Sequence, residues 1–123
     1  MVSNTVFEVH NNTLVVYLSG EIDHSNSITY KRAIMEQVEL NNIKSLVLDF
    51  ERVRYIDSSG IGLILGRYNQ MKALNGILAI SGASHQLYML LRISGVNSII
   101  RCFGSVKEAC KEIEKYESYR TKV

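Results

Sequence analysis

Residues 45–66 read Ser45-Leu46-Val47-Leu48-Asp49-Phe50-Glu51-Arg52-Val53-Arg54-Tyr55-Ile56-Asp57-Ser58-Ser59-Gly60-Ile61-Gly62-Leu63-Ile64-Leu65-Gly66. Residues 45–50 are an apolar burst of strand length, residues 51–54 are polar, and Asp57-Ser58-Ser59 then precedes a second apolar run. A short apolar run suits a buried strand, and Asp or Ser just ahead of a helically spaced apolar segment is a helix start. The stretch therefore predicts strand, loop and helix. The helix runs over about residues 59–73 with Leu63, Ile64, Tyr68 and Met71 at helical spacing, and Asn75-Gly76 supplies the stop.

The same alternation extends in both directions. Towards the N-terminus, residues 5–9 and 13–19 are β-branched-rich runs flanking His10-Asn11-Asn12, which predicts a hairpin because asparagine tolerates the positive φ of tight turns. The second of these runs is apolar almost throughout, as expected of a strand inside a sheet. A helix over residues 25–41 follows, with Ile28, Ala33, Ile34, Val38 and Leu40 on its apolar face. Towards the C-terminus come a strand at 77–80, a leucine-rich helix at 83–93, a break at 94–97 and a short strand at 99–102. Ser105 then caps a last helix patterned by Val106, Ala109, Cys110, Ile113 and Tyr116. The pattern predicts a single α/β domain over residues 1–116 and a charged tail over 117–123. Its mostly parallel mixed sheet has an antiparallel first strand, right-handed crossovers and about four helices.

Composition narrows the function. The chain has 123 residues, 46% hydrophobic and 21% charged, the proportions of one globular domain. Fourteen Lys and Arg against twelve Asp and Glu leave a net charge of +2, too little for the basic footprint of a nucleic-acid binder. Cys102 and Cys110 form no CxxC pair, so reduced structural thiols are expected rather than a disulfide framework or a zinc site. The absence of a signal-like start or a long apolar run predicts a cytoplasmic protein without membrane association. His10, His24 and His85 have no metal-sharing spacing, and Gly82-Ala83-Ser84-His85-Gln86 fails the nucleophile-elbow pattern. Gly60, Gly62 and Gly66 come near the dinucleotide fingerprint, but Leu65 stands where its third small residue belongs, and no Walker A lysine occurs. No catalytic residue, metal or cofactor is expected.

Asp57-Ser58-Ser59-Gly60-Ile61-Gly62 remains. Free N–H groups and the helix dipole favour an anion at such a helix start, and the same residues also read as an ordinary N-cap. Gly60, Gly62 and Gly66 each cost a helix about 1 kcal/mol relative to alanine, so close approach of either the sheet or a partner is expected there. The uncharged run from Ile61 to Leu65, flanked by Asp57 and by Asp23 at the end of a neighbouring strand, suits protein docking.

Leu18-Ser19-Gly20-Glu21-Ile22-Asp23-His24, the Asp57–Gly62 element with Ile64-Leu65-Gly66-Arg67-Tyr68, and Ile93-Ser94-Gly95-Val96 with Ile99-Ile100 together carry a resemblance. Over nearly its whole length the chain resembles the bacterial anti-sigma factor antagonists with a STAS domain. Ile61 stands where that family usually has leucine. The resemblance implies the STAS fold, a phosphoacceptor at Ser58, and Ser59 as its neighbour and helix cap. It further implies partner switching without enzymatic activity of the chain's own. The unphosphorylated protein would bind an anti-sigma factor and release the sigma factor. The anti-sigma factor, itself a serine kinase, would phosphorylate Ser58, and a serine phosphatase would reset the switch. The similarity is greatest to the sporulation branch, which acts on sigma factor F. A general stress-response antagonist and a nucleotide- or small-anion-binding STAS module are the alternatives. The expected docking face comprises Asp23, His24, Ser25, Asp57, Ser59, Gly60, Gly62 and Gly66, on a protein expected to be a monomer.

Overall fold

A computed structural model describes residues 5–121. Strand β1 (Val6–His10) turns through Asn11-Asn12 into β2 (Thr13–Ile22), with His10 facing Thr13 and Asn11 at φ 57°. Helix α1 (Ser27–Leu40), strand β3 (Ser45–Ile56), helix α2 (Ser58–Ala73), strand β4 (Leu78–Ser81) and helix α3 (His85–Ile93) follow. A 3-10 turn (Val96–Ser98), strand β5 (Arg101–Phe103) and helix α4 (Val106–Thr121) complete the order. The sheet runs β1-β2-β3-β4-β5, antiparallel between β1 and β2 and parallel elsewhere, as expected.

Each parallel strand lies one place further along the sheet, and right-handed crossovers then put α1, α2 and α3 on a single face. Period-2 alternation divides the strand side chains between the two faces. Leu14, Val16 and Leu18 of β2, with Leu46, Leu48 and Phe50 of β3, join Ile34, Ile64 and Leu91 in the larger core. Val15, Val47 and Ala79 point the other way, where Ala109 and Ile113 of α4 cover them. On α1, Ile34 and Val38 are buried as expected, but Ile28 is 58% exposed and Leu40 71%. Tyr30 turns inward with Ile34 and Val38 at i, i+4 spacing, which fixes the buried stripe and leaves Ile28 outside it.

Three boundaries differ in ways that matter for the site. The polar residues 51–54, expected as a loop, continue β3 to Ile56. Thr13 faces Ser45 but Ile22 faces Ile56, so ten residues of β2 run beside twelve of β3, with register shifts between Tyr17 and Ser19 and between Gly20 and Glu21. These bulges replace simple alternation by burial of Phe50, Val53 and Ile56, with the polar side chains between them facing solvent. The last strand begins at Arg101 rather than 99, because Ile99 closes the 3-10 turn and Ile100 is taken into the core. Helix α4 does not fray at 116. It continues to Thr121, tied down by Ser45 Oγ to Glu117 Oε1 (3.2 Å) and by the Arg120 guanidinium donating to the Asn75 carbonyl.

Candidate functional site

The register of β2 and β3 brings the two marked loops together. Ile22 and Ile56 are paired, so the residues after them, Asp23 and Asp57, leave the sheet side by side. Asp57 has extended backbone and takes two bonds on Oδ1, from Ser59 N–H (2.8 Å) and Gly60 N–H (3.2 Å). Its Oδ2 accepts from His24 N–H (3.2 Å), and its own N–H donates to the Ile22 carbonyl (3.2 Å). Asp57 is therefore the N-cap of α2, a correction to the expectation that Ser59 fills that role. Aspartate satisfies two of the otherwise unpaired first-turn donors at once, which leaves Ser58 as the first helical residue and Ser59 as the donor of one of those bonds.

The neighbouring loop is built on Asp23. Its Oδ1 accepts from Ser25 Oγ (2.6 Å) and Ser25 N–H (3.0 Å), and its carbonyl accepts from Ser27 N–H (2.9 Å) at the start of α1. The bond from the Ser25 hydroxyl is the main reason that the Asp23 carboxyl lies below the usual carboxylate range. Asn26 locks the loop from behind: its Oδ1 accepts from Asp23 N–H (3.0 Å) and its Nδ2 donates to the Glu21 carbonyl (2.7 Å). Asn26 was not foreseen from the sequence, although asparagine after Asp-x-Ser is a common way to close a local turn.

Ser58 is exposed, and among the described residues its hydroxyl makes no hydrogen bond. His24 and Ser25 are also exposed; Asp23, Asp57 and Ser59 are half-buried. The glycines divide. Gly60 is buried, and a Cβ there would lie 3.0 Å from both the Ile22 carbonyl oxygen and Ile56 Cβ. Gly60 therefore seats α2 on the sheet from beneath the face instead of lining it. A Cβ at Gly62 or Gly66 would meet nothing within 4 Å, so none of the described residues demands glycine at either position. Ser58, Gly62, Leu65, Gly66 and Asn69 follow helical spacing along the outer side of α2. Ile28, in the first turn of α1, adds an exposed apolar side chain that sequence periodicity had assigned to the core.

The arrangement is a surface with the exposed Ser58 hydroxyl, two adjacent carboxylates and an open helix flank. Among the described residues no group of three His, Cys, Asp or Glu side chains could hold a metal ion, and no helix is long and apolar enough to cross a membrane. His85 is the first residue of α3. Ser84 caps α3 by accepting from Leu87 N–H (3.1 Å).

A five-stranded mixed sheet with three helices on one face and one on the other defines a class of fold, and known proteins identify it. A family model for the STAS domain matches residues 4–109. The anti-sigma F factor antagonist of Paenibacillus polymyxa is 32% identical over 107 residues, spanning 87% of this chain and 92% of that one. The anti-sigma-B factor antagonist of Listeria monocytogenes is 29% identical over 85 residues, 69% of this chain and 74% of that one. Among solved structures, the anti-sigma factor antagonist SpoIIAA in its unphosphorylated form superposes with a TM-score of 0.79 at 26% identity, covering 90% of this chain and 96% of that one. The Bacillus cell fate determinant SpoIIAA in its phosphorylated form gives 0.70 at 26% identity, covering 89% and 98%. The chain belongs to the STAS-domain family of anti-sigma factor antagonists.

Proposed function

We propose that this protein is a phosphorylation-controlled antagonist of an anti-sigma factor, with Ser58 as the switch. One observation carries the reading: Ser58 presents an exposed, unbonded hydroxyl in the first turn of α2, while the residues on either side of it are fixed by the Asp57 cap. A kinase therefore finds the acceptor oxygen free, on a backbone that need not rearrange. The unphosphorylated protein binds the anti-sigma factor across Asp23, His24, Ser25, Ser59 and the open flank of α2 at Gly62 and Gly66, and the sigma factor is released. That a related antagonist has been solved in both unphosphorylated and phosphorylated forms supports such a cycle. The longer match, at higher identity, to an anti-sigma F antagonist than to an anti-sigma-B antagonist supports sigma factor F as the pathway.

The physical switch is local. A phosphate on Ser58 adds about −1.5 to −2 charge beside Asp57 and near the Asp23 loop. An unfavourable change of about 2 to 3 kcal/mol from repulsion and desolvation weakens docking roughly 30- to 150-fold. The helix N-terminus meanwhile stabilises the phosphate in the free protein by about 0.3–1 kcal/mol, so the modified chain stays folded. The partner supplies kinase and ATP, and a separate phosphatase restores the hydroxyl.

The test is intact-mass measurement and peptide mapping after incubation with Mg-ATP and the candidate anti-sigma kinase. One phosphate on Ser58 is expected, and Ser58→Ala should accept none while binding the partner constitutively. No phosphate from a kinase active on another antagonist overturns the assignment for that partner. Equal partner affinities for Ser58→Ala and Ser58→Asp overturn the charge mechanism.

A further inference from the structure

A groove lies at the end of the sheet opposite Ser58. Parallel strands place the start of β4 away from the end of β3, and there a groove of about 590 Å³ opens beside Leu78 and Ala79. Its origin is the shortness of β5. The first β4–β5 pair is Ala79 with Arg101, so Ile77 and Leu78 have no β5 residue beside them. Helix α4 overhangs the gap from one face with Ile113 and Tyr116, and α2 closes it from the other with Tyr68. The lip carries Ile99, 50% exposed, and Tyr119, 72% exposed, two large apolar side chains left open among the described residues.

The charges around this apolar trough are unequal. Lys72, Arg101 and Lys115 line it against a single carboxylate, Glu112. Glu112 is shared between Arg101 (3.4 Å) and Lys115 (3.7 Å), while Lys72 lies 5.9 Å from the Tyr68 ring centroid and, among the described residues, makes no ion pair. Two positive charges are thus left over at the rim. A second copy docking through the same patch would bring two cationic rims face to face in a self-complementary contact, which disfavours it. A volume of this size is in the range of small-molecule sites, which combine apolar and aromatic walls with a few placed charges.

We propose that the groove binds a single-chain anionic amphiphile, a fatty carboxylate. The chain lies over Leu78 and Ala79 between Tyr68 and Tyr116, and the carboxylate meets Lys72 and the Arg101–Lys115 side of the rim. The site is separate from the Ser58 face and does not depend on the switch.

Isothermal titration of the full chain with dodecanoate, held below its micelle-forming concentration, tests this directly. The expected result is saturable one-to-one binding. Each methylene removed from water contributes up to about fourfold, so octanoate should bind at least about tenfold more weakly even in a half-open groove. Dodecyltrimethylammonium, the same chain with a cationic head, should also bind at least about tenfold more weakly. Lys72→Glu and Ile99→Glu, both at exposed positions, should each weaken dodecanoate binding at least about fivefold with unfolding midpoints close to the parent, while Ser58→Ala should not change it. Equal binding of the two head groups, insensitivity to both variants, or many molecules bound with loss of the folded state overturns the proposal. So does no saturable binding, including the case where the protein instead forms a dimer that Ile99→Glu disperses, which would assign the groove to a second copy.

Discussion

Asp57→Ala removes a clamp and a cap in one substitution. Oδ1 accepts from Ser59 and Gly60 N–H at 2.8 and 3.2 Å, and Oδ2 accepts from His24 N–H at 3.2 Å. Losing an N-cap costs about 0.5–2 kcal/mol. Losing the bond to His24, on a partly exposed loop, adds about 0.5–1 kcal/mol. The expected destabilisation is about 1–3 kcal/mol, a fall in Tm of the order of 3–10 °C for a domain of this size. Asp57→Asn separates the two tasks, since the amide oxygen can still cap Ser59 and Gly60 while the amide nitrogen cannot accept from His24. Urea unfolding gives the energies, and amide hydrogen exchange assigns them. In Asp57→Asn, protection should fall at His24 and persist at Ser59 and Gly60; in Asp57→Ala it should fall at all three. Unfolding of Asp57→Ala at the parent midpoint, with His24 protection intact, would refute the clamp.

The remaining predictions concern positions where the fold and the site make different demands. Gly62→Ala and Gly66→Ala should each stabilise the free protein by about 0.5–1 kcal/mol, because the added methyl meets nothing, yet weaken binding of the anti-sigma factor in a pull-down or titration. Gly60→Ala should lower the unfolding midpoint, since its methyl meets the Ile22 carbonyl and Ile56 at 3.0 Å. Tyr17 is pushed up to about 12, first by burial and then by its bond to Glu8 (2.8 Å). Folding therefore favours the neutral phenol: its contribution is complete below the ordinary value of 10.0 and is lost as pH rises towards about 12, a slope that Tyr17→Phe should reduce in alkaline unfolding curves. Burial likewise raises the Cys102 and Cys110 thiols, so iodoacetamide at mildly alkaline pH should modify both more slowly in the folded protein than in urea.

Element type and order were readable because the signals are local. Asn11-Asn12 between two β-branched runs, the apolar run of residues 45–50 and Ser105 ahead of the last helix each state their structure within a few residues. The mostly parallel sheet with its antiparallel first strand followed from the opening hairpin and the alternation of strand and helix. What stayed hidden depends on partners distant in sequence. The Glu51–Arg54 stretch reads as loop because its bulged pairing with β2 abolishes the period of two. Ile28 looked buried because helical spacing alone cannot choose between two overlapping stripes; Tyr30 decides it by packing inward. The cap fell to Asp57 because its backbone is extended and its carboxylate serves two donors, whereas the sequence offers Asp, Ser and Ser in succession as equal candidates. The nearness of the Asp23 loop to Asp57 was anticipated, while the role of Asn26 in holding that loop was not. Both glycines facing open space were marked as candidates for close approach, but so was Gly60, whose reason is internal.

The two extra residues in β3 give strand length a meaning that its own chemistry does not reveal. Arg54 has no partner on β2, because Gly20 faces Val53 and Glu21 faces Tyr55, so deleting this exposed residue would remove a bulge and straighten the strand just ahead of the site. Ile22 would still face Ile56, but without the bend of the bulge Asp57 would leave the sheet in another direction relative to His24, and the serine would turn with it. The alignment of two loops 33 residues apart is thus stored upstream, as a count of backbone units. A chain that kept every side chain of the docking face but lost one such unit would keep the letters of the motif and lose its address.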